Sequence, residues 1–375
     1  MKYRDFGNTG IKVSALGFGA MRLPVIGEGE QEKVDLDKAV PVIQRSLELG
    51  VNYIDSAWAY HNGTSEEAVG EAVAGRDRSS IYLSTKNPLD ADLKEWRKRL
   101  DIQLERLKTD YIDFYHFHGL MWREFKKKVL PEGYLKELQR ARQEGLIRHI
   151  SFSCHDNPRN IVKLVDTGEF SSMLVQYNLL HRLNDSAIAQ ARAKGMGVAV
   201  MGPVGGGRIA FLSRLRPREG RTVPELAFRF VWANPNVSLA LSGMGNIDMV
   251  EENAATADIE GPLTKVENED IKVMLNQLGG LEDLYCTGCG YCMPCPNGVD
   301  IPTNFLLLNY ARYYSFGEGI VQSYNLGLKP AKASADFCIE CEECVEKCPQ
   351  HIPIPERMKD VIKQFSQKEG DRSDP

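Results

Sequence analysis

No stretch of this 375-residue chain approaches the length of a membrane span, which needs about 20 consecutive apolar residues. There is no basic block either. Acidic and basic residues are interspersed and the formal net charge is −5, which argues against nucleic acid as a partner. The opening "MKYRDFGNTG" lacks an apolar export core, so a cytoplasmic protein without membrane attachment is expected. Cysteine is nearly missing from the first 285 residues, where Cys154 stands alone; the other eight lie between Cys286 and Cys348. Clustered cysteines without an export signal point to metal binding over disulfides. A Gly-rich dinucleotide turn after the first apolar run is missing too, which disfavours a doubly wound open sheet.

What is present is a regular alternation. Short apolar, β-branched runs recur as "SALGFGA", "VNYIDSA", "IYLSTK", "YIDFYHFH", "HISFSC", "MLVQYN", "GVAVMGP" and "VSLALSG". Helix-like segments separate them, among them "SEEAVGEAVAG" and "LKEWRKRLDIQLERL". Eight strand–helix units in this length predict an α/β fold, a (β/α)8 barrel. The preceding "YRDFGNTGIKVSAL" reads as a hairpin closing the barrel bottom. Near Pro262 the pattern changes to a linker and then to helices around the cysteines. The expected division is a barrel over 1–265 and a small, mainly helical domain over 266–375.

Active sites of such barrels lie at the C-terminal ends of the strands. Reading those ends yields Asp55 after the second strand, Tyr60 in the loop that follows, Lys86 on the third strand and His118 on the fourth. His116 faces the same side by the period-two rule. A lysine beside a tyrosine favours the phenolate and eases release of its proton, and an aspartate keeps that lysine charged and in place. Tyr60 is then a general acid toward a carbonyl oxygen, and His118 a hydrogen-bond donor to that oxygen. Each residue alone has an ordinary structural explanation; four at consecutive strand ends favour chemistry. The loops after strands seven and eight, the customary phosphate site of these barrels, read "GPVGGGR", with Gly202 and Pro203, and "SGMGN". The second runs into "IDMVEENAATA", whose first N–H groups would face an anion.

"GVNYIDSAWAY", "STK", "DYIDFYHFH", "VQYN", "GPVGGG" and "SGMGNIDMVEEN" together resemble the aldo/keto reductases in order and spacing, over residues 1 to 262. The resemblance implies reduction of a small-molecule carbonyl, or oxidation of an alcohol, with NADP(H) or NAD(H) as cofactor, and a tetrad of Asp55, Tyr60, Lys86 and His118. It implies that Ser153 and Gln176 hold the nicotinamide carboxamide. Ser242, Gly243, Asn246, Glu252 and Asn253 would lie along the adenosine half. Met249 stands where many members carry a basic residue for the 2′-phosphate, so the choice between NADPH and NADH stays open. Cys154 and His155 depart from the usual Asn-containing end of strand five, and Cys154 reads first as a small buried hydrophobe.

The two cysteine runs, "CTGCGYCMPC" and "CIECEECVEKC", repeat at 52 residues, with the last pair offset by one. The second run has the C-x2-C-x2-C-x3-C-P spacing of bacterial ferredoxins, in which the fourth cysteine ligates the other cluster. Two 4Fe-4S clusters are expected. One takes Cys286, Cys289, Cys292 and Cys348; the other takes Cys338, Cys341, Cys344 and Cys295. Zinc is the alternative, although its motifs usually pair cysteines from two separated hooks. The whole chain resembles an iron–sulfur branch of the aldo/keto reductases with a C-terminal ferredoxin-type domain. Three functional readings follow. The first is a reductase whose clusters exchange electrons with a partner electron-transfer protein. The second is a reductase with purely structural clusters. The third is an inactive barrel, a binding module that senses nicotinamide or oxygen and reports to a partner. Trp58, His61 and Trp122 are placed near loops that border the substrate pocket.

Overall fold

The computed structural model describes residues 1–27, 31–209, 217–259, 261–277, 286, 288, 290–313 and 317–366. The chain divides into two compact units, Met1–Pro203 with Glu225–Thr264, and Val204–Pro224 with Lys265–Pro375. The division at Thr264 lies one residue from the expected boundary, but the segment after the seventh barrel strand groups with the second unit.

The first unit is a closed barrel of eight parallel strands. They are β1 (Leu16–Gly19), β2 (Tyr53–Asp55), β3 (Tyr82–Pro88), β4 (Ile112–His118), β5 (Ile147–Cys154), β6 (Ser172–Gln176), β7 (Gly197–Met201) and β8 (Leu239–Ser242). Each pairs with its sequence neighbour and β8 pairs with β1, so the open-sheet alternative is excluded. A helix follows each strand: α1 (Leu36–Glu48), α2 (Thr64–Val73), α3 (Leu93–Arg106), α4 (Tyr134–Gln143), α5 (Pro158–Asp166), α6 (Asp185–Ala193), α7 (Val223–Ala233) and α8 (Ile247–Ala257). The strands are buried on both faces because helices cover one face and the barrel interior takes the other. The helices bury a single stripe, in α3 Trp96, Leu100 and Gln103. Caps mark their starts: the Asp92 carboxylate accepts from the Glu95 N–H, and the Asn157 side chain from the Asn160 N–H.

The hairpin pairs Tyr3–Asp5 with Lys12–Ser14. Its turn inserts Phe6, fully buried, against Tyr53 and Phe114 with ring centroids 5.6 and 4.9 Å away. Tyr53 and Leu239 are the first residues of β2 and β8, so this plug fills the N-terminal end of the barrel. Gly7 allows the close approach: its φ is +60°, and a Cβ there would lie 2.4 Å from the Gly195 carbonyl oxygen.

The second unit opens with α9 (Lys265–Gln277) and continues with α10 (Ile301–Tyr313), α11 (Gly317–Gln322) and α12 (Ile354–Ser366), linked by short helical turns. Its core gathers Val299, Ile301, Phe305, Leu308, Tyr324, Ile352, Met358, Val361 and Phe365, and Cys292 and Cys348 belong to it. Tyr324 stacks on Phe365 at 4.3 Å and donates its hydroxyl hydrogen to Asp336 at 2.7 Å. A mainly helical domain is what the apolar insert between the cysteine runs predicts. No helix among the described residues is long and apolar enough to cross a membrane.

Replacing Phe6 by Ala empties the plug, and a loss of about 3–5 kcal/mol is expected. Urea unfolding followed by tryptophan fluorescence measures it. A loss below about 1 kcal/mol, the size of an ordinary surface change, would show that the ring does not close the barrel.

Candidate active site and cysteine centres

Three adjacent strands and one loop bring the four polar residues together. Asp55 is the last residue of β2. Lys86 sits on β3, two residues before its end at Pro88, and His118 is the last residue of β4. Strand register places Asp55 beside Ser84, Lys86 beside His116, and Pro88 beside His118, so these side chains share the barrel interior. The Lys86 ammonium is only 1 % exposed. It donates to the Asp55 carboxylate at 2.5 Å, to the Ser56 carbonyl at 2.6 Å and to the Tyr60 hydroxyl at 3.4 Å. Ser84 donates to the other Asp55 oxygen at 2.7 Å. Burial raises the Asp55 carboxyl above its ordinary range, against the pull of Lys86 and Ser84. The His118 ring meets the Tyr60 ring edge-on at 5.9 Å. Burial, then the Lys86 charge, then His155 and His116, push His118 down to about 3. The imidazole is therefore neutral near pH 7 and carries one N–H to donate.

His116 lies one layer deeper, completely buried, with neither ring nitrogen in a hydrogen bond. Burial and then Lys86 push it down to about 3 as well.

Behind this group lies a network that pattern reading did not find. Glu66 on α2 is fully buried. It accepts from Thr85 at 2.5 Å, from Gln103 at 2.6 Å and from Arg106 at 3.3 Å, while Gln103 also donates to the Lys86 carbonyl at 3.2 Å. The network braces β3 from outside the barrel. Its only sequence signal is a glutamate on the inner face of an amphipathic helix. Arg99 and Arg106 lie over the Trp58 ring at 5.0 and 4.4 Å. His61 meets Glu32 at 2.9 Å, and Trp122 stacks on Phe125 at 5.8 Å. These contacts tie all three to the scaffold. Burial pushes the Cys154 thiol up to about 12, so it stays protonated and apolar in character.

The expected cofactor residues line the same end of the barrel. Ser153 and Gln176 are nearly buried at the ends of β5 and β6. The Ser153 oxygen accepts from the Gly119 N–H at 2.9 Å, which leaves its own hydrogen to donate. A hydroxyl and a primary amide side by side fit a carboxamide, which needs both donor and acceptor. Gly202 and Pro203 follow β7 directly, and the Gly202 carbonyl accepts from Asn178 at 2.8 Å. Ser242 ends β8 and accepts from Asn253 at 3.1 Å. The Asn246 side chain is engaged as the cap of α8, accepting from the Met249 N–H at 2.9 Å. Glu252 lies on the exposed side of α8. Arg22, beyond β1, is an addition: a Cβ on Gly243 would lie 2.9 Å from the Arg22 Cβ. Its aliphatic stem packs beside Gly243, with Cγ and Cδ each 3.1 Å from such a Cβ.

In the second unit the cysteines form two groups. Cys286, Cys292 and Cys348 line one small apolar cavity with Ile301, Phe305 and Ile354. Cys338, Cys341, Cys344 and Cys295 line a second, with Ile301, Ile354 and Met358. Cys348 thus sits with Cys286 and Cys292 of the first run, and Cys295 with the first three cysteines of the second. Cys289 lies outside the described residues. Burial pushes the Cys344 thiol up to about 11, with Cys338, Cys341 and Cys295 adding to it. Among the described residues, no three Cys, His, Asp or Glu side chains converge on a single-ion site. Ile301 and Ile354, which line both cavities, are also the first residues of α10 and α12. The repeated "DIP" and "PIP" stretches place proline in a first helical turn, where its missing N–H costs nothing, and the helix N-terminal charge favours anionic clusters.

A sequence model described as the Aldo/keto reductase family matches residues 15–276. The chain belongs to that family. Its (β/α)8 barrel and its relatives make it an oxidoreductase enzyme. A second model, a 4Fe-4S dicluster domain, matches residues 285–353. L-galactose dehydrogenase of Arabidopsis thaliana is 29 % identical over 296 residues, covering 69 % of this chain and 89 % of that protein. The uncharacterized oxidoreductase YqkF of Bacillus subtilis is 26 % identical over 326 residues, 76 % of this chain and 98 % of that one. Among solved structures, the holo form of aldo-keto reductase AKR11C1 from Bacillus halodurans is similar, at 29 % identity and a TM-score of 0.61. That match covers 73 % of this chain and 96 % of the other.

Two outcomes follow from this geometry. His116 and His118 hold pKa values of about 3 when folded, against about 6.5 unfolded. The unfolded chain therefore binds protons first as pH falls, so the contribution is absent above pH ~6.5 and stability drops below it. At pH 5.5 each imidazole is expected to remove about 1.4 kcal/mol. In His116→Leu, the difference in urea midpoint between pH 7.5 and 5.5 should shrink by that residue's share; an unchanged difference rules it out. For the cysteines, Cys295→Ser should alter the same electron paramagnetic resonance signal as Cys341→Ser, and Cys348→Ser the same one as Cys292→Ser. The opposite pairing would return each fourth cysteine to its own run.

Proposed function

We propose that this enzyme interconverts a small carbonyl compound and its alcohol with NADPH or NADH, and that two 4Fe-4S clusters in its second unit exchange electrons with a partner protein. The observation that carries the catalytic half is the Lys86 ammonium held between Asp55 and the Tyr60 hydroxyl, with neutral His118 alongside. Nicotinamide, when bound, supplies the hydride. Ser153 and Gln176 orient its carboxamide, and Gly202, Pro203, Ser242, Gly243 and Asn253 line its phosphate and adenosine course. Tyr60 delivers a proton to the carbonyl oxygen. Lys86 stabilises the phenolate left behind, and Asp55 keeps the lysine charged. His118 donates its N–H to the same oxygen and so fixes the carbonyl in place. The direction is reversible: Tyr60 takes the alcohol proton back when Lys86 holds it as phenolate.

The clusters are read as serving separate traffic. Nicotinamide gives up two electrons as hydride, a cluster accepts one, and a flavin usually joins the two. The cluster electrons are therefore assigned to a one-electron carrier protein. A second reading, in which the clusters are structural, is favoured by one observation: Cys292 and Cys348 lie within the apolar core of their unit.

The test is Tyr60→Phe, assayed anaerobically with a panel of aldehydes and ketones. A fall in kcat of about 10²–10⁴ is expected, with nucleotide affinity by fluorescence unchanged. Equal activity would refute the assignment of Tyr60 as the acid and support the sensing reading. In the same cuvette, visible bleaching by a reduced one-electron carrier supports exchange; a spectrum indifferent to every carrier leaves the clusters structural.

A further inference from the structure

Arg208 lies in Val204–Pro224, the segment that follows β7 in the chain and belongs to the second unit. Its guanidinium Nη1 donates to the backbone carbonyl of Cys286 at 2.9 Å, across 78 residues of sequence. Two neighbours on the segment have different partners. Arg218 pairs with Asp270 at 2.7 Å and Glu269 at 3.0 Å, and Arg221 with the buried Glu267 at 3.4 Å. Arg208 instead brings its charge to a cysteine loop. Gly288, two residues after Cys286, is shaped around it: a Cβ there would lie 2.5 Å from Arg208 Nη2 and 3.1 Å from Cζ. The φ of Gly288 is +67°, so glycine is required on two counts. Cys286 and Gly288 thus both lie against the Arg208 guanidinium.

We propose that Arg208 sets the reduction potential of the cluster bound through Cys286, as a positioning residue that is not itself a ligand. The proposal rests on the reading of Cys286 as a cluster ligand. Reduction adds a negative charge to a cluster that its thiolates already make anionic, and cluster potentials follow net charge and hydrogen bonding around the ligands. A guanidinium stays protonated at every working pH, and a partly buried one is screened less by salt than an exposed one. Arg208 therefore favours the reduced state of this cluster. Around the other run Glu340, Glu342, Glu343 and Glu346 are all exposed, and the cation that meets them, Lys359, is paired with Glu340 at 2.8 Å. The effect of Arg208 is confined to one of the two centres.

The test is an anaerobic potentiometric titration of the full chain with dithionite, read by electron paramagnetic resonance, in which each cluster takes up one electron. In Arg208→Gln the step of one cluster is expected to move to lower potential while the other stays. In Arg208→Lys, which keeps the charge, that step is expected to remain near its wild-type position. Unmoved steps in Arg208→Gln overturn the proposal, and so does an equal shift in both variants, which would make geometry and not charge the cause. Assembly of one cluster only in both variants also overturns it, because Arg208 would then be scaffolding. Wild-type protein without two one-electron steps would refute the cluster reading beneath it; two steps in the wild type with no shift in the variant refute Arg208 alone.

Discussion

A buried ammonium 2.5 Å from a buried carboxylate is the constraint on which the first unit's chemistry depends. Taking both charges out of water costs several kcal/mol per ion, and their attraction alone need not repay it. Lys86 and Asp55 tolerate the interior because other groups share the load: the Ser56 carbonyl accepts from the ammonium and the Ser84 hydroxyl donates to the carboxylate. The remaining direction of the ammonium points at Tyr60. Stability alone would be served as well by an apolar pair. The arrangement makes sense as a way to hold a positive charge beside a phenol.

That requirement explains features further away. β3 must keep Lys86 in register, and the Glu66 network grips its backbone and side chains from the helix side. Tyr60 must reach back over the barrel mouth, so the loop after β2 turns through two left-handed residues, His61 at φ +50° and Asn62 at +55°. Such residues cost about 1–3 kcal/mol each when not glycine. Glu32 holds both, through the His61 ring and the Asn62 amide. The closed end of the barrel is built differently, from aromatic packing around Phe6.

The second unit solves a different problem. Two of its cysteines stand in its apolar core. Two helices begin at Ile301 and Ile354, between the two cysteine groups. Cluster formation and folding are coupled in such a domain, because the ligands form part of the packed interior. On the proposal made above, redox tuning falls to charges at the edge, with Arg208 beside Cys286.

The barrel was legible because its signals are local. Apolar runs at regular spacing, a hairpin turn and helix caps act over a few residues, and strand ends in a (β/α)8 fold all point to one place. Asp55, Tyr60, Lys86 and His118 could therefore be named from the sequence, as could the repeat that puts each last cysteine with the opposite run. Arg208, Arg22, Glu66 and Gln103 could not. Each acts across 35 or more positions in some contact, such as Arg208 with Cys286 at 78 or Glu66 with Gln103 at 37, and no pattern in a single sequence records such distances. Trp58 and Asn246 were legible as residues but not as roles. Whether an aromatic ring lines a pocket or lies beneath two arginines, and whether an amide binds a ligand or caps a helix, depends on what the fold brings against it. Periodicity and spacing determined the architecture and which polar side chains stand at the strand ends. Tertiary structure alone decided which charges stand next to them, because electrostatics follows distance in space and not position in the chain.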